Sequence, residues 1–131
     1  MTRILLVDDD DQVRSMLKEV LSSSGYEVWE ANDGTGVCKL YEQHRFDLVI
    51  TDLIMPGIEG IELIIGLRQI DDNVKIVAMS GAGPNSPETY LKIANKLGAQ
   101  HILSKPFTIQ DFLATVSSAL GSGSPGIPPS E

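Results

Sequence analysis

Ile4-Leu5-Leu6-Val7-Asp8-Asp9 is the stretch on which the architecture turns. Four large apolar residues in a row leave no wet face on a pleat, so they fit a short strand covered on both sides, as in parallel sheets. The two aspartates then fall at that strand's carboxyl end. The pattern recurs downstream. Asp47-Leu48-Val49-Ile50-Thr51 runs into Asp52, Val74 to Met79 runs into Ser80, and His101 to Ser104 runs into Lys105-Pro106. Tyr26 to Ala31 reads as one further strand, whose Glu27 and Glu30 suit a sheet edge.

Segments of helical period separate these runs. Val13, Met16, Leu17, Val20 and Leu21 share one helix face, with Gly25 at the C-cap position. Asn32-Asp33-Gly34 is a turn and cap signal before the face of Val37, Leu40, Tyr41 and His44. A third helix is expected from about Ile58 to Ile70, left through Asp71-Asp72-Asn73. Ser86 and Pro87 supply an N-cap and first-turn proline for a fourth, which Gly98 ends. Thr108, with Asp111 three residues on, caps a fifth that reaches Leu120. Strand and helix alternating in this way imply an α/β fold, a doubly wound five-stranded parallel sheet with five helices. Residues 1–120 hold all of it. Residues 121–131 carry a single large apolar side chain, Ile127, and are expected to form a flexible tail or linker.

The 131 residues suffice for one hydrophobic core, and 42% apolar with 21% charged residues is ordinary for a soluble globular chain. No apolar stretch reaches the ~20 residues that span a bilayer, so no membrane role is expected. The first apolar run is four residues long and meets four aspartates, unlike a signal peptide, and a cytoplasmic location is expected. One cysteine, Cys38, cannot make an internal disulfide and has no activating base near it in sequence; it reads as helix packing. With 18 acidic against 10 basic residues the net charge is −8. That balance, without a basic cluster, argues against direct nucleic-acid binding.

Asp8, Asp9, Asp52, Ser80 and Lys105 all sit at carboxyl ends of strands, the edge where open α/β sheets carry ligands. In the order 2-1-3-4-5 of flavodoxin-like sheets, the first and third strands are neighbours, and three carboxylates meet at the switch point. Their repulsion raises pKa values or demands a cation. Mg²⁺, a hard ion that prefers oxygen, is the expected remedy. Asp9 and Asp52 would give direct oxygens, Asp8 would act through a water, and the backbone carbonyl of Ile54 is a neutral candidate. A carboxylate oxygen of Asp52 can attack a phosphoryl group while Mg²⁺ and the Lys105 ammonium stabilise its charge. The Ser80 hydroxyl can then hydrogen-bond the product. Asp10 and Asp11 prolong the acidic run but read as helix-opening charges, with an outer position at the metal as the sharper alternative for Asp10. His44 and His101 lie away from the acidic edge, Trp29 reads as packing, and Met55 and Pro56 shape the loop after Asp52.

At these residues the sequence resembles the receiver domain of bacterial two-component response regulators. The resemblance is carried by Ile4 to Asp9, by Val49-Ile50-Thr51-Asp52-Leu53-Ile54-Met55-Pro56-Gly57, by Ser80, and by Leu103-Ser104-Lys105-Pro106-Phe107, in order over residues 1–120. It implies a conformational signalling switch rather than an enzyme. Asp52 would take its phosphoryl group from a phosphohistidine of a sensor histidine kinase or histidine phosphotransfer protein. Mg²⁺ would sit at Asp8, Asp9 and Asp52, Ser80 would switch, Lys105 would contact phosphate, and the Lys105–Pro106 bond would be cis. A downstream protein or a missing output domain would read the signal, and a homodimer is compatible with it. The sequence departs from the pattern on the switch face. Ile102 stands where the family carries an aromatic, Gly81 follows Ser80 where alanine is commoner, and the stretch from Ser80 to Gly98 is longer and richer in Gly and Pro. Transmission is therefore expected to be muted on the Ile102 side. Among rivals, Asp8-Asp9-Asp10 matches the Asp-x-Asp of haloacid-dehalogenase-type phosphatases, but no cap insertion follows. A pseudo-receiver acting only as an interaction module would lack some of the acids, Ser80 or Lys105. A flavin site would need a phosphate loop after the first strand.

Overall fold

The apolar runs become the strands of one parallel sheet in the computed structural model, which describes residues 2–53, 60–80, 92, 95–96, 98–99 and 101–121. The strands are β1 (Arg3–Val7), β2 (Glu27–Ala31), β3 (Leu48–Asp52), β4 (Ile76–Ser80) and β5 (His101–Ser104), in the spatial order β2-β1-β3-β4-β5. This is the expected order. Every residue of β3 and β4 is buried, whereas β2 at the sheet's edge is mostly half-buried. Register places Val7 beside Thr51, Asp52 beside Met79, and Ser80 beside Ser104. β4 begins at Ile76 rather than Val74, because the Val74 amide is taken by the Asp71 carbonyl at 3.1 Å to close the preceding turn.

The helices with bounds among the described residues are α1 (Asp11–Ser23), α2 (Val37–His44), α3 (Gly60–Ile70, directly after residues outside the described ones) and α4 (Ile109–Leu120). The additional helix expected between Ser86 and Gly98 lies largely outside the described residues. Lys92, Asn95 and Lys96 within it are helical, and Gly98 follows with φ +109°. Residues 122–131, within the expected tail or linker, are also outside them. Leu17 and Leu21 of α1 join Phe112 and Val116 of α4 over Ile4, Leu6, Ile50 and Met79 on one face of the sheet. Tyr41 of α2 and Leu63, Ile64 and Leu67 of α3 cover Leu5, Val7, Val49 and Ala78 on the other. Burial on both faces is why the central strands β1, β3 and β4 read as mainly apolar runs.

Local signals act as expected at two helix starts. The Asp10 carboxylate caps α1 by accepting from the amides of Gln12 and Val13, and Thr108 caps α4 by accepting from Asp111. α2 instead starts behind Gly36 with φ 78° and no side-chain cap, while Asp33 accepts from the Thr35 amide one turn earlier. None of the described helices is long and apolar enough to cross a membrane.

Candidate metal centre

Because β1 and β3 are neighbours, the residues that leave them at the carboxyl edge meet. The carboxylate oxygens of Asp8, Asp9 and Asp52 lie within 4.8 Å of one another. Asp8 is fully buried and Asp52 nearly so, whereas Asp9 is exposed. β4 and β5 bring up the other two residues. The Lys105 amide donates to the Ser80 carbonyl at 2.8 Å, and the Lys105–Pro106 bond is cis. The Lys105 ammonium then reaches back across the strand ends, 2.9 Å from Asp52 Oδ2 and 3.3 Å from Asp8 Oδ2.

Burial pushes the Asp8 carboxyl above its ordinary range, and the neighbouring Asp52 charge adds to this. The Asp10 amide, which donates to Asp8 Oδ1 at 2.9 Å, and the Lys105 charge offset part of the rise. For Lys105 burial acts downward, but hydrogen bonds and charge from Asp52 and Asp8 outweigh it and hold the amine as ammonium. Three carboxylates and one ammonium leave two negative charges, which a divalent cation would balance. The donor set is all carboxylate oxygen, suited to a hard ion rather than a thiophilic one. The Ser80 hydroxyl adds a further observation. It is fully buried at the end of β4 with no hydrogen-bond partner among the described residues. Such a group costs free energy unless a ligand completes it.

The structure thus unites Asp8, Asp9, Asp52, Ser80 and Lys105 on one edge. Ile54 and Gly81 lie outside the described residues. Ile102 on β5 is 40% exposed, and Pro106 is exposed beside Lys105. His101 opens β5 at the end remote from Lys105, and the His44 ring lies 4.5 Å from Trp29, so neither histidine joins the site. Trp29 also meets Phe46 edge-on at 5.5 Å, which is packing. Cys38 is half-buried against Gly66 of α3.

Three supporting residues had no signal in the sequence. The buried Thr51 hydroxyl donates to the Asp52 carbonyl at 2.9 Å. Gly60 opens α3 against the Asp52–Leu53 backbone, where its amide donates to the Leu53 carbonyl at 3.2 Å. Arg14 on α1 donates to the Asp8 carbonyl at 2.7 Å. Each contact depends on tertiary placement, and a lone Thr, Gly or Arg does not announce it.

Residues 4–117 match the family model described as the response regulator receiver domain. The chain is similar to sporulation initiation phosphotransferase F of Bacillus subtilis (strain 168), 31% identical over 118 residues that cover 90% of this chain and 93% of that protein. It is 36% identical to response regulator MprA of Mycobacterium sp. (strain KMS) over 94% of its own length, but spans only 52% of that relative. Among solved structures, a response regulator receiver domain protein from Clostridium thermocellum superposes with a TM-score of 0.85 at 26% identity, covering 94% of this chain and 97% of the other.

Proposed function

This chain belongs to the response regulator receiver family, a phosphorylatable signalling switch, and on that premise we propose that Asp52 is its phosphoacceptor. The observation that carries this reading is the Lys105 ammonium 2.9 Å from Asp52 Oδ2, at a strand edge shared with two further aspartates. The donor is a phosphohistidine of a sensor histidine kinase or histidine phosphotransfer protein, in the cytoplasm. As the Asp52 oxygen–phosphorus bond forms, the donor's P–N bond breaks and its electron pair returns to the imidazole. Lys105 follows the charge from the carboxylate onto the phosphoryl oxygens. The Ser80 hydroxyl gains in them the partner that it lacks among the described residues.

Asp8, Asp9 and Asp52 would hold Mg²⁺, with the Ile54 carbonyl as a further ligand; when bound, the ion supplies charge neutralisation at the phosphoryl oxygens. Phosphorylation of its own aspartate and its slow hydrolysis are then the whole chemistry, with no turnover of a free substrate. Residues 1–120 form the receiver unit, and residues 121–131 a tail or the start of a linker toward an output partner. Acetyl phosphate with Mg²⁺ should place one base-labile acyl phosphate on the chain, and Asp52→Asn should carry none by intact mass. Full labelling of that variant would refute the assignment.

A further inference from the structure

Arg14 takes no part in that chemistry, yet it is tied to the backbone that carries it. Its side chain is 15% exposed and bonds in three directions. Nη1 donates to the Asp8 carbonyl at 2.7 Å, Nη2 to Asp11 Oδ1 at 2.6 Å, and Nε to Glu30 Oε1 at 3.2 Å. Glu30 lies on β2 opposite Leu6 of β1, and Lys18 holds its other oxygen at 3.0 Å. Asp8 is therefore bracketed. Its amide donates to the Ala31 carbonyl at 3.1 Å, its carbonyl accepts from Arg14, and its carboxylate accepts from the Asp10 amide and Lys105. The carbonyl held by Arg14 belongs to the Asp8–Asp9 peptide, a rigid plane from which both carboxylates project.

We infer that Arg14 is a positioning residue for the cation site: its guanidinium, seated on Glu30 and Asp11, fixes the Asp8–Asp9 peptide so that both carboxylates face Asp52. The inference rests on the Mg²⁺ site proposed above. A planar fork with five donors serves three acceptors at once, whereas a lysine brings the charge without the geometry. Charge and position make opposite forecasts. A cation beside three acids weakens binding of another cation, so removing Arg14 would tighten the site if its charge governed. Glu30 and Asp11 sit directly on that charge and offset it, which leaves position as the larger effect.

The test is Mg²⁺ titration of the full chain by calorimetry, without phosphodonor, with amide spectra of the Mg²⁺-free protein. Asp9→Ala should abolish the binding seen in wild type. Arg14→Lys and Arg14→Ala should each weaken it about tenfold, as loss of a partner outside the ligands does at metal sites. In both, the Asp8 and Asp9 amides should shift before any metal is added. Lys18→Ala, which loses the other ion pair to Glu30 but no contact with Asp8, should stay within about twofold, the small effect expected of an exposed pair. Wild-type affinity in Arg14→Lys, or tighter binding in Arg14→Ala, overturns the inference while the site stands. A wild-type chain that binds no Mg²⁺ overturns the site itself and the inference with it.

Discussion

Gly60 is separated from a collision with the site by one missing methyl. A Cβ there would lie 2.6 Å from Leu53 Cα and closer still to the Asp52 carbonyl oxygen, both backbone atoms that cannot swing aside. Gly60→Ala should cost about 1–3 kcal/mol and slow phosphorylation, because the strand end carrying Asp52 must move. Gly66→Ala is the control. Among the described residues its Cβ meets only the Cys38 thiol at 2.8 Å, the end of a side chain that can rotate, and chemical denaturation should find it far less costly. Ser80 and Ile102 set a second expectation at this scale. Ser80 is fully buried without a partner for its hydroxyl among the described residues, while Ile102 is 40% exposed and has no ring to turn inward. A beryllofluoride adduct at Asp52 should therefore shift the Ser80 amide strongly and the Ile102 amide weakly by NMR. The reverse ranking would show that the β5 side carries the switch.

Between elements, the end of the sheet remote from the acids is held by a polar contact that should appear in pH titrations. Tyr41 of α2 donates to Asp71, in the turn between α3 and β4, at 2.8 Å. Arg45, at φ 51° just past α2, lies 3.5 Å from the same carboxylate with its guanidinium over the Tyr41 ring. Burial, then the Asp71 bond, push the Tyr41 phenol from 10.0 up to about 12, while the Tyr41 bond holds the Asp71 carboxyl below its ordinary 3.8. The signs follow from linkage. A raised phenol pKa gives stability that is complete below pH 10 and is lost as pH rises toward 12. A depressed carboxyl pKa gives stability that is complete above the ordinary carboxylate range and is lost as pH falls below it. Tyr41→Phe should thus cost about 1 kcal/mol near neutrality, with the difference from wild type shrinking at both extremes in urea titrations. A pH-independent difference would assign the cost to packing alone.

At the scale of the whole molecule, folding itself assembles the acidic edge, drawing Asp8, Asp9 and Asp52 together on a chain of net charge −8. A cation that binds only this assembled edge must stabilise the fold in proportion to its occupancy. At tenfold excess over its Kd, Mg²⁺ should add about 1.4 kcal/mol, a rise of a few degrees in Tm that EDTA reverses. Asp9→Ala should show no rise by calorimetry. An equal rise in that variant would place the stabilising ion elsewhere.

Much of this was legible in the residues alone. A run such as Ile4 to Val7, short and uniformly apolar, fits a doubly covered strand, and in a parallel sheet the residues after each run share one edge. Asp8, Asp9, Asp52, Ser80 and Lys105 were found in that way, because strand period and direction are local properties of sequence. What local pattern could not supply was reach. Lys105 contacts Asp8 across 97 positions of chain and two intervening strands, at a distance set by strand order, register and one rotamer. The hold of Arg14 on the Asp8 carbonyl, the Thr51 bond to Asp52 and the fit of Gly60 against the Asp52–Leu53 backbone are of the same kind. The sequence by itself determined which chemical groups stand at the edge. Only the tertiary structure decided which of them touch, because contacts depend on tenths of an ångström in packing that no periodicity encodes.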